Sequence, residues 1–129
     1  MDPRREVEEF LARWARAHEV REAEGAADLF VRDPDPLVTF SDGERARDWL
    51  DVRVRLVRDL SRAIIERVEV HDIQARALDR DTLICSYLYD MTVRDPWGTS
   101  SVATRFASMT LVRTKDGLRI AAAHFAVAR

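Results

Sequence analysis

The chain has 129 residues, of which 47% are hydrophobic and 34% are charged, values typical of one globular domain. Its formal net charge is −2 at pH 7, and basic residues are mixed with acidic ones along the chain. Nucleic acid is therefore not an expected partner. The single cysteine, Cys85, rules out an internal disulfide, and its apolar surroundings in the sequence predict a core position.

No apolar run approaches the ~20 residues of a membrane span, and the first residues lack the apolar stretch of a signal peptide. We therefore expect a cytoplasmic protein with no membrane contact. Of the 21 Lys and Arg residues only Lys115 is a lysine, and asparagine is absent, which indicates a GC-rich bacterial genome.

The first half of the chain predicts three helices and one short strand. Residues 4–24 predict a helix, because apolar side chains recur at steps of three and four, and Gly25 is expected to end it. A short second helix follows and stops at Asp33-Pro34-Asp35-Pro36, since proline lacks a backbone donor. Residues 37–40 predict a strand, and residues 45–62 predict a third helix with an apolar stripe.

In the second half of the chain, the spacing of apolar residues changes from that of helices to the alternation typical of strands. Residues 64–77, 82–93, 100–114 and 118–127 predict four strands, and Lys115-Asp116-Gly117 is a strong hairpin signal. The short connections favour antiparallel pairing. The expected architecture is therefore α+β, with a curved, mostly antiparallel sheet packed on N-terminal helices.

Four stretches in this order resemble the NTF2-like superfamily, close to its SnoaL-like group. They are Trp14 followed by residues 25–30, then residues 35–43, the helix opening at Trp49, and residues 110–125. The chain departs from the family pattern at Leu118, where tryptophan is common, and at Ser108, where arginine is frequent. The resemblance spans nearly the whole chain and implies one domain over residues 1–129.

The resemblance also implies a cone with an apolar cavity between the sheet and the first helix, and a homodimer formed through the outer sheet face. Residues 102–112 alternate in a way that fits a semi-polar outer face. Members of the family include isomerases, epoxide hydrolases, dehydratases, polyketide cyclases and non-catalytic binding domains. Fold alone does not choose among them.

His124 is the first candidate catalytic residue. Strict alternation in the last strand places it on the same face as Leu118 and Ile120, which predicts that it points into the cavity. Polyketide cyclases of this type carry an Asp base near this position, and a neutral imidazole can act as a base near pH 7. The alternative is a structural histidine at the sheet.

Arg105 and Tyr87 are the other candidate catalytic residues. Arg105 shares a strand face with small apolar residues, so it could hold a carboxylate or stabilise an enolate, or instead form a salt bridge at the rim. Tyr87 could donate to a carbonyl, or be a core or dimer-interface aromatic. Epoxide hydrolysis of the limonene type is disfavoured, because Arg105-Phe106-Ala107 lacks the Asp of the family's Arg-x-Asp pattern.

A further set is expected to line the cavity and bind the ligand. Trp14 and His18 lie one turn apart on the first helix and share a face, although either could be a core residue. The expected ligand-binding residues are Trp14, His18, Phe40, Tyr89 and Met109. The three histidines have no metal-ligand spacing and no Gly-rich phosphate loop exists, so neither a metal nor a cofactor is expected.

Two functional hypotheses follow. The first is a cofactor-independent enzyme of the lyase, isomerase or cyclase type that moves a proton on a small apolar, polyketide-like or aromatic molecule, with His124 as acid/base. The second is a non-catalytic ligand-binding or dimerisation domain of the same fold. An open cavity with converging polar groups favours the first, and filling by bulky side chains favours the second.

Overall fold

The computed structural model describes residues 2–128 and confirms the α+β architecture. Its helices are α1 (Pro3–Glu19), α2 (Ala23–Ala27) and α3 (Trp49–Arg62). Its strands are β1 (Leu37–Thr39), β2 (Arg45–Ala46), β3 (Ile64–Ala77), β4 (Thr82–Arg94), β5 (Ser100–Thr114) and β6 (Gly117–Val127). No helix within the described range is both long and apolar enough to cross a membrane.

The six strands form one sheet in the order β2-β1-β6-β5-β4-β3. Strands β3 to β6 form the antiparallel meander that their short connections predict. β1 pairs in parallel with β6, with Val38 opposite Ala123, and so extends the sheet beyond the meander. The N-terminal helices cover one face of this sheet and form the core against it.

Helix α1 is shorter than predicted. Asp2 caps its start by accepting from the backbone N–H of Arg4 at 3.3 Å. The helix ends at Glu19, because Arg21 adopts the left-handed conformation (φ 55°) and the N–H of Glu22 bonds back to the Ala17 carbonyl. This is the pattern of a Schellman C-cap. The prediction that Gly25 breaks the helix was wrong, since Gly25 lies inside α2.

Helix α3 begins at Trp49 rather than at residue 45. Asp48 caps it by accepting from the N–H of Asp51 at 2.8 Å, which fixes its first turn. The indole N–H of Trp49 donates to the Ala27 carbonyl at 2.9 Å and joins α3 to α2. Residues 45–46, expected to be helical, form the short strand β2 instead.

Strand β6 contains a β-bulge that changes which side chains face inward. Thr110 of β5 pairs with Ala122, whereas the next residue, Leu111, pairs with Ile120. Ala121 is therefore the extra residue and has no partner opposite it. Such an insertion shifts the alternation of the strand by one position.

The bulge reverses the predicted orientation of His124. Before it, Leu118 and Ile120 are buried against the helices; after it, Ala123 and Phe125 take that side. His124 is exposed on the outer face of the sheet. The expectation that it points into the cavity was wrong, because strict alternation does not continue through Ala121.

Candidate functional site

A cavity of about 360 Å³ opens between the concave sheet face and the helices α1 and α3. We call it the cone cavity. Its wall combines the aromatic side chains Trp14, Phe40 and Phe125 with the polar side chains His18, Tyr89 and Arg105. A largely apolar pocket with a few converging polar groups is the usual form of a small-molecule site.

His18 is a buried titratable group of the cone cavity, with 9% of its surface exposed. Its Nδ1 lies 2.8 Å from the carbonyl oxygen of Trp14, one turn earlier in α1. A carbonyl oxygen only accepts, so Nδ1 must carry the proton. Burial lowers the pKa of His18, against a smaller opposing effect of this hydrogen bond, and favours the neutral ring.

The neutral tautomer leaves a lone pair on Nε2 of His18. This atom makes no hydrogen bond with any residue in the range 2–128, although the ring lines the cone cavity. The Trp14 ring packs against the imidazole at a centroid distance of 4.6 Å. The arrangement holds a proton acceptor in an apolar setting.

Aromatic rings form one wall of the cavity in a nearly parallel series. Phe125 lies 6.3 Å from Trp14 and 6.3 Å from Phe40, centroid to centroid, with 11° between the planes in each pair. Phe125 belongs to this wall because the β-bulge at Ala121 shifts the alternation of the side chains that follow it in β6. The wall offers flat apolar surface to a ligand, and ring stacking adds to burial.

Tyr89 and Arg105 lie directly opposite each other on β4 and β5, and both line the cavity. Burial raises the pKa of Tyr89 to about 12, against a smaller opposing effect of Arg105, so its hydroxyl stays protonated as a donor. The Arg105 guanidinium donates to Ser41 Oγ at 3.0 Å. Both side chains can therefore donate to a ligand oxygen.

The mouth of the cavity carries a network around Arg55 of α3. Its Nε lies 2.7 Å from an Asp59 carboxylate oxygen, and its Nη1 lies 3.0 Å from Asp42 in the loop after β1. The guanidinium also stacks 4.4 Å over the Phe40 ring. Arg55 thus ties the loop that carries Ser41 to helix α3.

The structure brings five of the sequence-predicted residues to the cavity: Trp14, His18, Phe40, Tyr89 and Arg105. It places Tyr87 and Met109 elsewhere in the core. The Tyr87 hydroxyl approaches the Met109 sulfur at 3.9 Å, and burial raises its pKa well above the ordinary value. The expectation that these two side chains reach the cavity was wrong. Alternation predicts which face of the sheet a side chain occupies, but it does not predict whether that position along the strand lies beside the cavity.

His124 lies outside the cone cavity, in an open groove on the outer face that Gln74, Ser86 and Ser108 also line. It faces Ser108 across the β5–β6 pair. Sequence reasoning missed Ser41, Arg55, Asp59 and Phe125. The i,i+4 spacing of Arg55 and Asp59 predicts an ion pair on α3, but it carries no sign of the cavity beside them.

No protein-family model matches the chain, and no curated protein sequence matches it significantly. Solved structures match it closely in fold. The protein Aln2 from a Streptomyces species has a TM-score of 0.82 and 23% identity, covering 95% of this chain and 88% of that one. A Streptomyces avermitilis protein provisionally assigned as an NTF2-like dehydratase has a TM-score of 0.84 and 15% identity, covering 98% of each chain.

An NTF2-like superfamily protein from Salmonella enterica serovar Typhimurium has a TM-score of 0.80 and 14% identity, over 98% of this chain and 91% of that one. At such identities the similarity is one of fold. It agrees with the helices and the curved sheet described above.

Proposed function

We propose that this chain, whose fold is that of the NTF2-like superfamily, binds a small, largely apolar molecule in the cone cavity and moves a proton on it. The proposed acid/base is His18, in place of His124. The observation that carries the proposal is the buried, neutral His18, whose Nδ1–H is fixed on Trp14 while its Nε2 has no partner among the described residues. A general base needs such a free lone pair.

In the proposed reaction, Nε2 of His18 takes a proton from a carbon next to a ligand carbonyl. The carbonyl oxygen becomes an enolate oxygen, which accepts a hydrogen bond from Tyr89 or Arg105. The imidazolium then returns the proton to another atom, which completes an isomerisation, or to a leaving hydroxyl, which departs as water. In a cyclisation, the enolate carbon would attack a second carbonyl carbon of the ligand, and the imidazolium would protonate the oxygen of the C=O bond that opens.

The Trp14 carbonyl supports this cycle at both stages. It holds the ring orientation while His18 is neutral, and it accepts a stronger hydrogen bond once the ring is charged. The provisional dehydratase assignment of the Streptomyces avermitilis protein is compatible with this chemistry. The open cavity of about 360 Å³ supports a ligand-binding role over complete filling by side chains.

Deuterium exchange tests the proposal without knowledge of the natural substrate. The protein is incubated in D₂O with small aromatic ketones such as 2-tetralone and phenylacetone, and deuterium uptake beside the carbonyl is followed by NMR. We expect catalysed exchange that falls by about 100-fold or more in His18→Gln, the usual scale for losing a general base. His124→Gln is the matched control and should retain the exchange.

Three other outcomes separate the alternatives. Exchange that survives in His18→Gln contradicts the assigned base. Loss of exchange in His124→Gln would instead assign the catalytic role to His124 on the outer face of the sheet. Ligand binding in the cone cavity without any exchange identifies a non-catalytic ligand-binding domain of the same fold.

We also propose a homodimer through the outer sheet face. Three apolar side chains are exposed there: Leu37 at 75%, Val102 at 62% and Phe106 at 39%. Burial of such a surface between two copies would remove apolar area from water. Sedimentation velocity should show a dimer that Phe106→Glu weakens and that Trp97→Ser, an exposed aromatic change in the β4–β5 turn, leaves intact. A monomeric wild-type protein would contradict the proposal.

A further inference from the structure

We propose that the cone cavity selects an organic monocarboxylate with an aromatic or alicyclic body, and that Arg105 binds its carboxylate. This inference rests on the proposed ligand-binding function of the cavity and specifies the chemical class of the ligand. It is carried by the charge balance of the cavity wall and by the position of Arg105 within it.

The ionic side chains of the wall divide into a paired set and an unpaired one. Arg55 and Asp59 neutralise each other at 2.7 Å, and both have further partners at the mouth. Arg105 has no carboxylate within 4.0 Å among residues 2–128, and its hydrogen-bond partner is the neutral Ser41 hydroxyl. Arg62 of α3 adds a second arginine at the rim. The wall is therefore locally cationic within a chain of net charge −2.

A half-buried guanidinium without a carboxylate is an unusual arrangement, because its lost hydration is only partly replaced. The planar fork of arginine matches a carboxylate in two parallel hydrogen bonds. The Ser41 contact uses Nη1 and holds the fork at the cavity wall. Tyr89, directly opposite on β4, keeps its hydroxyl proton for the enolate oxygen of the proposed reaction while Arg105 holds the carboxylate.

The apolar wall and the volume of the cavity determine the shape and size of the uncharged part of the ligand. Trp14, Phe40 and Phe125 form a flat apolar wall, which suits a ring system. The volume of about 360 Å³ lies near the lower end of the range for small-molecule pockets, so the body is small. The ring would lie between the carboxylate at Arg105 and the Nε2 atom of His18.

Matched acid and amide probes test the inference directly. Indole-3-acetate is compared with indole-3-acetamide, and phenylacetate with phenylacetamide, because each pair differs in charge and keeps the ring. Binding is measured by NMR titration at low salt. We expect each acid to bind about 10-fold or more tightly than its amide, the scale of one charge-assisted interaction.

The variants locate the charge that causes this preference. Arg105→Gln should abolish the preference for the acid over the amide, because the acid loses a charge-assisted interaction and so loses more affinity than the amide does. Arg62→Gln removes the same charge from the rim and should change the acid affinity by less than about threefold, because an exposed guanidinium stays hydrated and interacts through water of high dielectric constant. If Arg105→Gln does not fold, the acid-to-amide ratio of the wild-type protein decides the question.

Each contrary result has a separate meaning. Equal affinity for acids and amides in the cone cavity overturns the carboxylate inference and leaves the proposed binding function intact. An acid preference that persists in Arg105→Gln also overturns it. Failure of every probe to bind at millimolar concentration counts against the proposed function itself, and the inference falls with it.

Discussion

Nδ1 of His18 lies 2.8 Å from the carbonyl oxygen of Trp14, the residue four positions earlier in the same helix. The geometry determines the tautomer of the ring, because the carbonyl can only accept. It also directs the reactive nitrogen, Nε2, away from the helix backbone. A local contact within α1 thereby positions a proton acceptor beside the cone cavity.

The pH dependence of stability should reveal His18. Its folded-state pKa is lowered by burial, so its contribution to stability is present above the unfolded value near 6.5 and is lost as the pH falls. Between pH 6.5 and 5.5 the contribution of this residue should fall, by at most about 1 kcal/mol, since the unfolded state gains the proton. Urea denaturation of wild type and His18→Phe at both pH values should show this difference.

His71 provides the control of opposite sign. Burial opposes protonation of its ring, but the carboxylates of Asp90, 3.3 Å from Nε2, and of Asp72, 3.4 Å from Nδ1, outweigh burial and raise its pKa. Its contribution is present below pH 6.5 and is lost as the pH rises through the folded value. His71→Gln should therefore steepen the acid-side loss of stability, and a flattening in that variant would contradict the account.

Arg55 should stabilise the fold more than a surface arginine. Its side chain is 10% exposed and contacts the carboxylates of Asp42 and Asp59 and the ring of Phe40. Arg55→Met should lower the free energy of unfolding by about 1–3 kcal/mol, because two carboxylates lose their hydrogen-bonded partner. Chemical denaturation measures the change.

Arg47 is the matched control for that experiment. It pairs with Asp51 at 3.3 Å, but its side chain is 89% exposed. Arg47→Met should change stability by less than about 0.5 kcal/mol, as exposed i,i+4 pairs do. Similar losses in the two variants would show that the Arg55 network adds nothing beyond surface pairing.

Two glycine-to-alanine substitutions should have opposite effects. Gly117 follows the β5–β6 turn with φ 103°, a conformation that a side chain strains, so Gly117→Ala should cost about 1 kcal/mol or more. Gly25 lies within α2, and an added Cβ would meet only the flexible Glu22 side chain at 3.3 Å. Gly25→Ala should therefore be neutral or stabilise by up to about 1 kcal/mol. Thermal denaturation of both variants tests whether the backbone conformation at each glycine determines the sign of the change in stability.

The four long strands and their order could be predicted from sequence because alternation and turn residues mark them clearly. The bulge at Ala121 could not. Residues 121–123 are three consecutive alanines, and alanine gives no contrast between a buried and an exposed face. The sequence therefore gives no sign of the one-residue shift in alternation at the bulge. That shift places His124 on the outer face and Phe125 in the cavity wall.

Helical spacing similarly predicted Trp14 and His18 on one face of α1, and both line the cavity. Alternation placed Tyr87 and Tyr89 on the same face of β4, but it could not predict which of the two lies beside the cavity. Of the two, only Tyr89 lines it. Ser41 and Asp59 come to the mouth through tertiary contacts of a loop and of α3. No local pattern marks such contacts in advance.

The most direct test of the central claim is a ¹⁵N NMR measurement of the His18 imidazole at pH 7. The account predicts a neutral ring with the proton on Nδ1 and a lone pair on Nε2, and a shift of the Nε2 signal when a ligand enters the cone cavity. A ring protonated on Nε2 alone, or charged at this pH, would contradict the assignment of His18 as the proton acceptor of the site.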